Sequence, residues 1–226
     1  MAASELISAR VIRRVSFYYE VLLKLNLSPD TYISSKRIEE MTGVSCNQVR
    51  QDFFYLGFAI GRQKKGYQVG VLLAELKRVL SVEKCAEVVV VGAGRLGRAL
   101  TEYPLFGVRN IRIVALFDND QQVVGQNLKV RDEIVPILHV DAMDAFLRTR
   151  AGVNIALLTV PESQAQGAFD NLIRLGIKGI VNFAPRILKI PKGNKQVQLI
   201  NECVGASLYK IVYQICRNQE GEHRDE

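Results

Sequence analysis

The chain has 226 residues, 48% of them hydrophobic and 23% charged, with 17 glycines and 6 prolines. That size and balance suit one large or two small domains with a real core, and exclude disordered, collagen-like and low-complexity classes for the bulk of the chain. Of the net charge of +7, residues 1–85 carry +5 and residues 86–226 carry +2, so the first third suits a polyanionic partner.

No apolar run is long enough for a membrane span, and MAASELISARVIRR lacks a cleavable signal pattern. Cys46, Cys85, Cys203 and Cys216 form no Cys-x-x-Cys pair. Neither a zinc site nor a secreted disulfide scaffold is supported, and the expected location is a reducing cytoplasm.

In chain order, the first predicted element is a helix over 5–25, where Leu6, Val11, Val15, Tyr18 and Leu22 recur at helical spacing. Asn26, Ser28 and Pro29 end it. A short helix follows from Ser35 to Thr42, capped by Ser34 or Ser35, and Gly43 makes the turn. Ser45 opens a third helix with Gln48 three residues on, a capping-box pattern, and the helix runs to Gly57. Residues 58–70, with Gly61, Gly66 and Gly70 among basic and β-favouring residues, read as a hairpin, and Val71 to Leu80 as a fourth helix.

The pattern changes near residue 85. Apolar runs at 88–91, 111–117, 155–160 and 177–183 suit strands covered on both faces. Helical stretches at 97–103, 143–149 and 163–175 alternate with them, which argues a doubly wound parallel sheet. A possible strand at 196–200 and a last helix over 203–218 complete the chain before a polar tail. The expected division is a DNA-binding domain at 1–84, a dinucleotide-binding domain at 85–202 and a terminal helix and tail at 203–226.

Two short helices around Gly43 match a helix-turn-helix. Its reading helix is Ser45-Cys46-Asn47-Gln48-Val49-Arg50-Gln51-Asp52, with Val49, Phe53 and Leu56 turned to the core. Asn, Gln and Arg near the start of such a helix can pair with base edges in a major groove. Lys36 and Arg37 suit backbone phosphates, and Arg62, Lys64 and Lys65 suit a basic wing. Arg50 and Asp52 also admit an internal ion pair, and Cys46 admits a plain packing role as well as a thiol sensor.

The strand at 88–91 leads into Gly92-Ala93-Gly94-Arg95-Leu96-Gly97, a G-x-G-x-x-G between strand and helix. Gly92 permits the tight turn, Gly94 the approach of a pyrophosphate, and Gly97 close helix–strand packing. The next strand ends at Asp118, 24 residues beyond Gly94, where a carboxylate can accept ribose hydroxyls and repel a 2′-phosphate, favouring NADH and NAD+. Arg95 either counters the diphosphate or lies on the helix surface. Thr159-Val160-Pro161 and Asn182-Phe183-Ala184-Pro185 stand at strand ends, where such sheets bind ligands; they also read as ordinary loop packing. His139 is the one histidine outside the tail, and no acid–base or metal constellation accompanies the cofactor motif, which fits a sensor better than a catalyst.

Val204, Leu208, Ile211 and Ile215 form one apolar stripe of the last helix, and Tyr209, Val212 and Cys216 an adjoining one. A helix this apolar buries more than one side, within its own domain or against another subunit.

The ordered set SSKRIEEMTGVSCNQVRQD, GYQV, VVGAGRLGRAL, FDND, TVPESQAQ and GIKGIVNFAP resembles the Rex family of redox-sensing transcriptional repressors over nearly the whole chain. The resemblance implies an α/β protein with a winged helix-turn-helix head, a Rossmann domain and a swapped C-terminal helix. It implies a homodimer that binds palindromic, AT-rich double-stranded operators and releases them when NADH is bound. It carries the cofactor role onto Gly92, Gly94, Gly97, Asp118, Thr159, Val160, Pro161, Asn182, Phe183, Ala184 and Pro185. It carries the DNA role onto Lys36, Ser45, Gln48, Arg50 and the wing. Gln51 and the wing sequence Gln63-Lys64-Lys65-Gly66-Tyr67 depart from the family pattern, as do Glu20, Asn201 and Glu202, where charged partners of the switch are usual. The rival readings are an NAD-dependent oxidoreductase with a helical accessory domain, marked by a substrate base and cofactor turnover, and an NAD-binding regulator of a protein partner, marked by a wing that touches no DNA.

Overall fold

A computed structural model describes residues 7–58, 61–62, 65–82, 85–103, 111–194 and 196–222. The chain divides into two compact units, Met1–Lys84 and Cys85–Glu226.

In the first unit, α1 (Ala9–Leu25) begins at Ser8, whose hydroxyl accepts from the Val11 N–H, and ends at Asn26 in the left-handed region. A two-residue strand, β1 (Tyr32–Ile33), precedes α2 (Ser35–Thr42), which is capped by Ser34 and stopped by Gly43 at φ +71°. Then come α3 (Cys46–Tyr55), β2 (Gly61–Arg62), β3 (Gly66–Gln68) and α4 (Val69–Val79). Val15, Tyr18, Leu22, Ile38, Val49, Phe53, Leu72 and Leu76 fill one core between the helices. The Tyr18 and Tyr67 rings both stand nearly perpendicular to the Phe53 ring, with centroids at 5.4 and 4.9 Å.

The hairpin is part of a three-stranded wing. β3 pairs antiparallel with β2 and, on its other side, with β1. A strand as short as β1 leaves no alternation to read in sequence. Gly66 is obligatory in this wing: its φ is +88°, and a Cβ there would stand 2.3 Å from the Ile33 carbonyl oxygen. Helix α4 starts at Val69, two residues before the expected start, because Val69 and Gly70 donate their N–H groups back to Thr31 and Pro29.

The second unit runs β4 (Ala86–Val91), α5 (Arg95–Thr101), β5 (Ile111–Asp118), β6 (Asn127–Val130), β7 (Glu133–His139), α6 (Met143–Thr149), β8 (Val153–Leu158), α7 (Glu162–Arg174), β9 (Gly179–Asn182), β10 (Gln198–Asn201) and α8 (Val204–Glu222). Its sheet has the order β10-β9-β8-β4-β5-β7-β6. Every pairing is parallel except β6 with β7. Successive side chains of β4 serve opposite faces: Val89 and Val91 join Phe117, Leu158 and Phe169, whereas Val88 and Val90 join Leu116, Ile137 and Leu157. The doubly wound parallel sheet is thus as the sequence leads one to expect.

The β6–β7 hairpin is not. Pro136 interrupts β7 and reads as a strand breaker. It is accommodated because β7 pairs with β5 only from Ile137 onward. Helix α8 keeps its apolar residues in the open: Val204 is 73% exposed, Tyr209 78% and Ile215 52%. No helix among the described residues is long and apolar enough to cross a membrane.

Candidate functional sites

Helices α2 and α3 form the helix-turn-helix. Ser45 caps α3 by accepting from the Gln48 N–H at 3.3 Å, but the reciprocal half of a capping box is missing. The Gln48 side chain turns the other way and donates through Nε2 to Asp52 Oδ1 at 2.9 Å. Its carbonyl oxygen and its second amide hydrogen stay outside that bond. Asn47 and Arg50 are exposed on the outer face, while Val49 and Phe53 are buried. The Arg50 guanidinium donates to Asn47 Oδ1 and, at 3.4 Å, to Ser35 Oγ, which lays it along the outer surface of α2 and α3.

The internal ion pair considered for Arg50 and Asp52 does not form. Asp52 faces inward, 2% exposed, and its partner is Arg14 of α1. Nε and Nη2 of Arg14 each lie 2.7 Å from one carboxylate oxygen, and the Tyr18 hydroxyl donates to the same group at 2.7 Å. Burial pushes the Asp52 carboxyl up. The hydrogen bonds from Arg14, Tyr18 and Gln48, with the charge of Arg14, outweigh it and hold Asp52 below its ordinary value. Burial and the bond to Asp52 push the Tyr18 phenol up, and the Asp52 bond raises Arg14.

Lys36, Arg37 and Lys65 are exposed, and Arg37 pairs at 2.9 Å with Glu40 on the surface. Arg62 stands in β2, and Lys64 lies outside the described residues.

The second site is a cavity of about 720 Å³ at the C-terminal ends of the parallel strands. It opens where the strand order reverses, between β4 and β8. Gly92 at φ +102° makes the turn out of β4, and a Cβ there would meet the Thr159 carbonyl at 2.8 Å. A Cβ on Gly97 would stand 2.0 Å from the Gly92 oxygen, so α5 lies against the loop as only glycine allows. A Cβ on Gly94 would meet nothing within 4 Å; it would project into open space at the cavity wall. The Thr159 hydroxyl lies 3.1 Å from the Val91 carbonyl and 2.8 Å from that of Gly92, joining the two strand ends.

Asp118 closes the loop from the other side. Its Oδ2 accepts from the Ala93 N–H at 2.6 Å and its Oδ1 from the Asp120 N–H at 2.9 Å. Each carboxylate oxygen keeps a further lone pair. Arg98 braces the same loop, donating to the Ala93 carbonyl at 2.9 Å and to Gln126 Oε1 at 2.9 Å.

Of the expected cofactor residues, Gly92, Gly94, Leu96, Asp118, Thr159, Val160, Pro161, Phe183 and Pro185 line the cavity. Arg95, Gly97, Asn182 and Ala184 do not. Arg95 is exposed on α5, and Gly97 is buried behind the loop. Asn182 is 1% exposed and acts as a brace. Its Nδ2 donates to the Arg186 carbonyl at 2.7 Å and to Asn201 Oδ1 at 2.8 Å, while its Oδ1 accepts from the Ala184 N–H at 3.0 Å. Asn201 also accepts from the Leu188 N–H at 3.0 Å, so it ties β10 to the loop after β9. His139 ends β7 outside the lining, with Nδ1 accepting from the Asp141 N–H at 3.3 Å.

The sequence reading missed Asn119, Val140, Met143, Gln164, Ala168 and Asn171 in the lining. For the last three the signal was present: they recur at helical spacing along one face of α7.

Residues 83–186 match the family described as "CoA binding domain", and residues 6–53 the family described as "Putative DNA-binding protein N-terminus". The redox-sensing transcriptional repressor Rex of Caldanaerobacter subterraneus subsp. tengcongensis is 34% identical over 215 residues, 95% of this chain and 92% of that one. Among solved structures, RSP in complex with β-NAD+ and operator DNA superimposes with a TM-score of 0.80 at 31% identity, over 98% of each chain. RSP in complex with β-NADH does so with a TM-score of 0.77 at 30% identity, over 97% of this chain and 99% of that one.

Proposed function

The chain belongs to the Rex family of redox-sensing transcriptional repressors, and from that membership we propose how its two units divide the work. The first unit binds operator DNA, the second binds NADH or NAD+, and NADH releases the DNA. The protein is a repressor and not an enzyme. Consistent with this, Asp118 is the one ionisable side chain among the described residues that line the cavity, and backbone N–H groups hold both its oxygens.

The observation that carries the reading is the glycine loop. Gly92 and Gly97 have no room for a Cβ, whereas a Cβ on Gly94, which lines the cavity, would meet nothing within 4 Å. That is the cradle a pyrophosphate needs. Asp118 takes the adenosine ribose hydroxyls and disfavours a 2′-phosphate. Thr159, Val160, Pro161, Phe183 and Pro185 wall the nicotinamide end, and Leu96 covers the diphosphate. Arg95 faces solvent beside it. Gly97, Asn182 and Ala184 serve the site from behind.

On the head, Ser45, Asn47, Gln48 and Arg50 face the major groove. Lys36, Arg37, Arg62, Lys64 and Lys65 hold phosphates. Two chains joined through α8, with that helix exchanged between them, present paired heads to an AT-rich inverted repeat in the cytoplasm. NADH and NAD+ differ in charge at the nicotinamide. If the two forms prefer different spacings of the heads, linkage makes one of them favour DNA.

The test is selection of genomic fragments by the full chain, followed by binding titrations across NADH/NAD+ ratios at fixed salt. Selective binding that NADH disrupts is expected. Selective binding indifferent to the ratio removes the sensor, and failure to select any DNA removes the repressor.

A further inference from the structure

We propose that Gln164 and Asn171, two side-chain amides on α7, read the polar edge of the adenine base; this rests on the cofactor reading above. Asp118 marks the adenosine ribose. In the sheet order, β5, which carries Asp118, and β9, which leads to Phe183, lie on opposite sides of the β4–β8 crevice. Phe183 packs on the sheet face of Val88 and Val90, whereas Met143 and α7 share the other face with Phe117, and the base leaves the ribose toward that second face.

That side of the cavity has the chemistry of a purine slot. Phe117, Met143 and Ala168 supply apolar surface, and the short Ala168 methyl leaves room for a flat ring against the helix. Gln164 and Asn171 flank Ala168 on the same helix face, about 10 Å apart along the axis. Their orientations are unequal. Asn171 Oδ1 accepts from Arg174 Nη2 at 2.7 Å, which fixes that amide and leaves its Nδ2 as the donor. The Gln164 amide makes no hydrogen bond to a described residue, and the side chain is exposed at the rim. Adenine complements this pair: its amino group donates to Gln164 Oε1, and a ring nitrogen accepts from Asn171 Nδ2.

The experiment titrates the full-length chain with NADH and with its hypoxanthine analogue, in which a 6-oxo group replaces the 6-amino group. Gln164→Glu offers only acceptors, so the affinity ratio shifts toward NADH by about tenfold. Gln164→Lys offers only donors, so the ratio shifts toward the 6-oxo analogue by about the same factor. Any general attraction or repulsion of the diphosphate cancels in the ratio. The ring acceptor given to Asn171 is N7, beside the exocyclic group and unprotonated in both bases, so Asn171→Ala weakens both ligands and leaves the ratio unchanged; N1, by contrast, carries a hydrogen in the 6-oxo base. An unchanged ratio in both Gln164 variants overturns the proposal while NADH binding by the parent chain upholds the cofactor reading. A parent chain that binds neither dinucleotide overturns both.

Discussion

Arg14 and Asp52 meet in two parallel hydrogen bonds of 2.7 Å that join the first helix of the head to its reading helix. The carboxylate is buried, and the same group fixes Tyr18 and Gln48. Removing one partner of such a pair leaves the other charge uncompensated. Asp52→Ala is expected to destabilise the head by about 3 kcal/mol. Hydrogen exchange in α1 and α3 would report it, and exchange rates equal to the parent's would count against the role given to the pair.

The same pair sets a pH window. Asp52 is held below its ordinary value of 3.8, so its contribution is full above that value and is lost as the pH falls below it. Tyr18 is raised above its ordinary 10.0, so its contribution is full below that value and fades as the pH rises past it. Head stability should form a plateau between these limits. Amide exchange in α1 and α3, corrected for intrinsic rates, should quicken at both ends, and Asp52→Ala should flatten the acid limb.

The three glycines of the cofactor loop should separate in mutagenesis. Gly97→Ala forces a methyl to 2.0 Å from the Gly92 oxygen, and a melting curve should show a loss of about 2 kcal/mol or more. A Cβ on Gly94 meets nothing within 4 Å and φ there is an ordinary −69°, so the fold of Gly94→Leu should persist. NADH fluorescence titration of that variant should show binding abolished, since the side chain occupies the diphosphate space.

Arg50→Ala should weaken operator binding by about tenfold. The salt dependence tells which contact was lost: a reduced slope means a phosphate, and an unchanged slope with relaxed sequence preference means a base. Equal affinity of variant and parent would remove Arg50 from the interface.

Helix α8 bears its apolar residues outward, with Leu208 58% and Ile211 52% exposed. Leu208→Glu together with Ile211→Glu should convert a dimer to a monomer in sedimentation and remove tight binding to an inverted repeat while a half-site is still bound weakly. A parent chain that sediments as a monomer would sink the dimer.

What could be read in the sequence was what periodicity and glycine chemistry encode. The apolar run at Val88–Val91 followed by Gly92, Gly94 and Gly97 placed the crevice, because those residue types have few other uses in that order. The inward commitment of Gln48 was not legible: spacing alone made it the return half of a capping box, and only the fold brings Asp52 and Arg14 together across 38 residues. Asn182 was placed near the ligand because its strand end is at the crevice; the side chain is instead a brace, its polar atoms consumed by Arg186, Ala184 and Asn201. The edge strands β6 and β7 carry no long apolar run, so the hairpin left no signal of that kind.

The bonds from Ala93 and Asp120 to Asp118, with the Thr159 hydroxyl between the two strand ends, tie the loop through contacts internal to the chain. Little chain ordering is then charged against association. Encounter of the dinucleotide with the cradle should proceed at the rate of a rigid docking event, and exchange of one redox form for the other should be governed by how long each form resides. A sensor built this way tracks the nicotinamide pool on the timescale of ligand departure, with no folding step of its own to slow the reply.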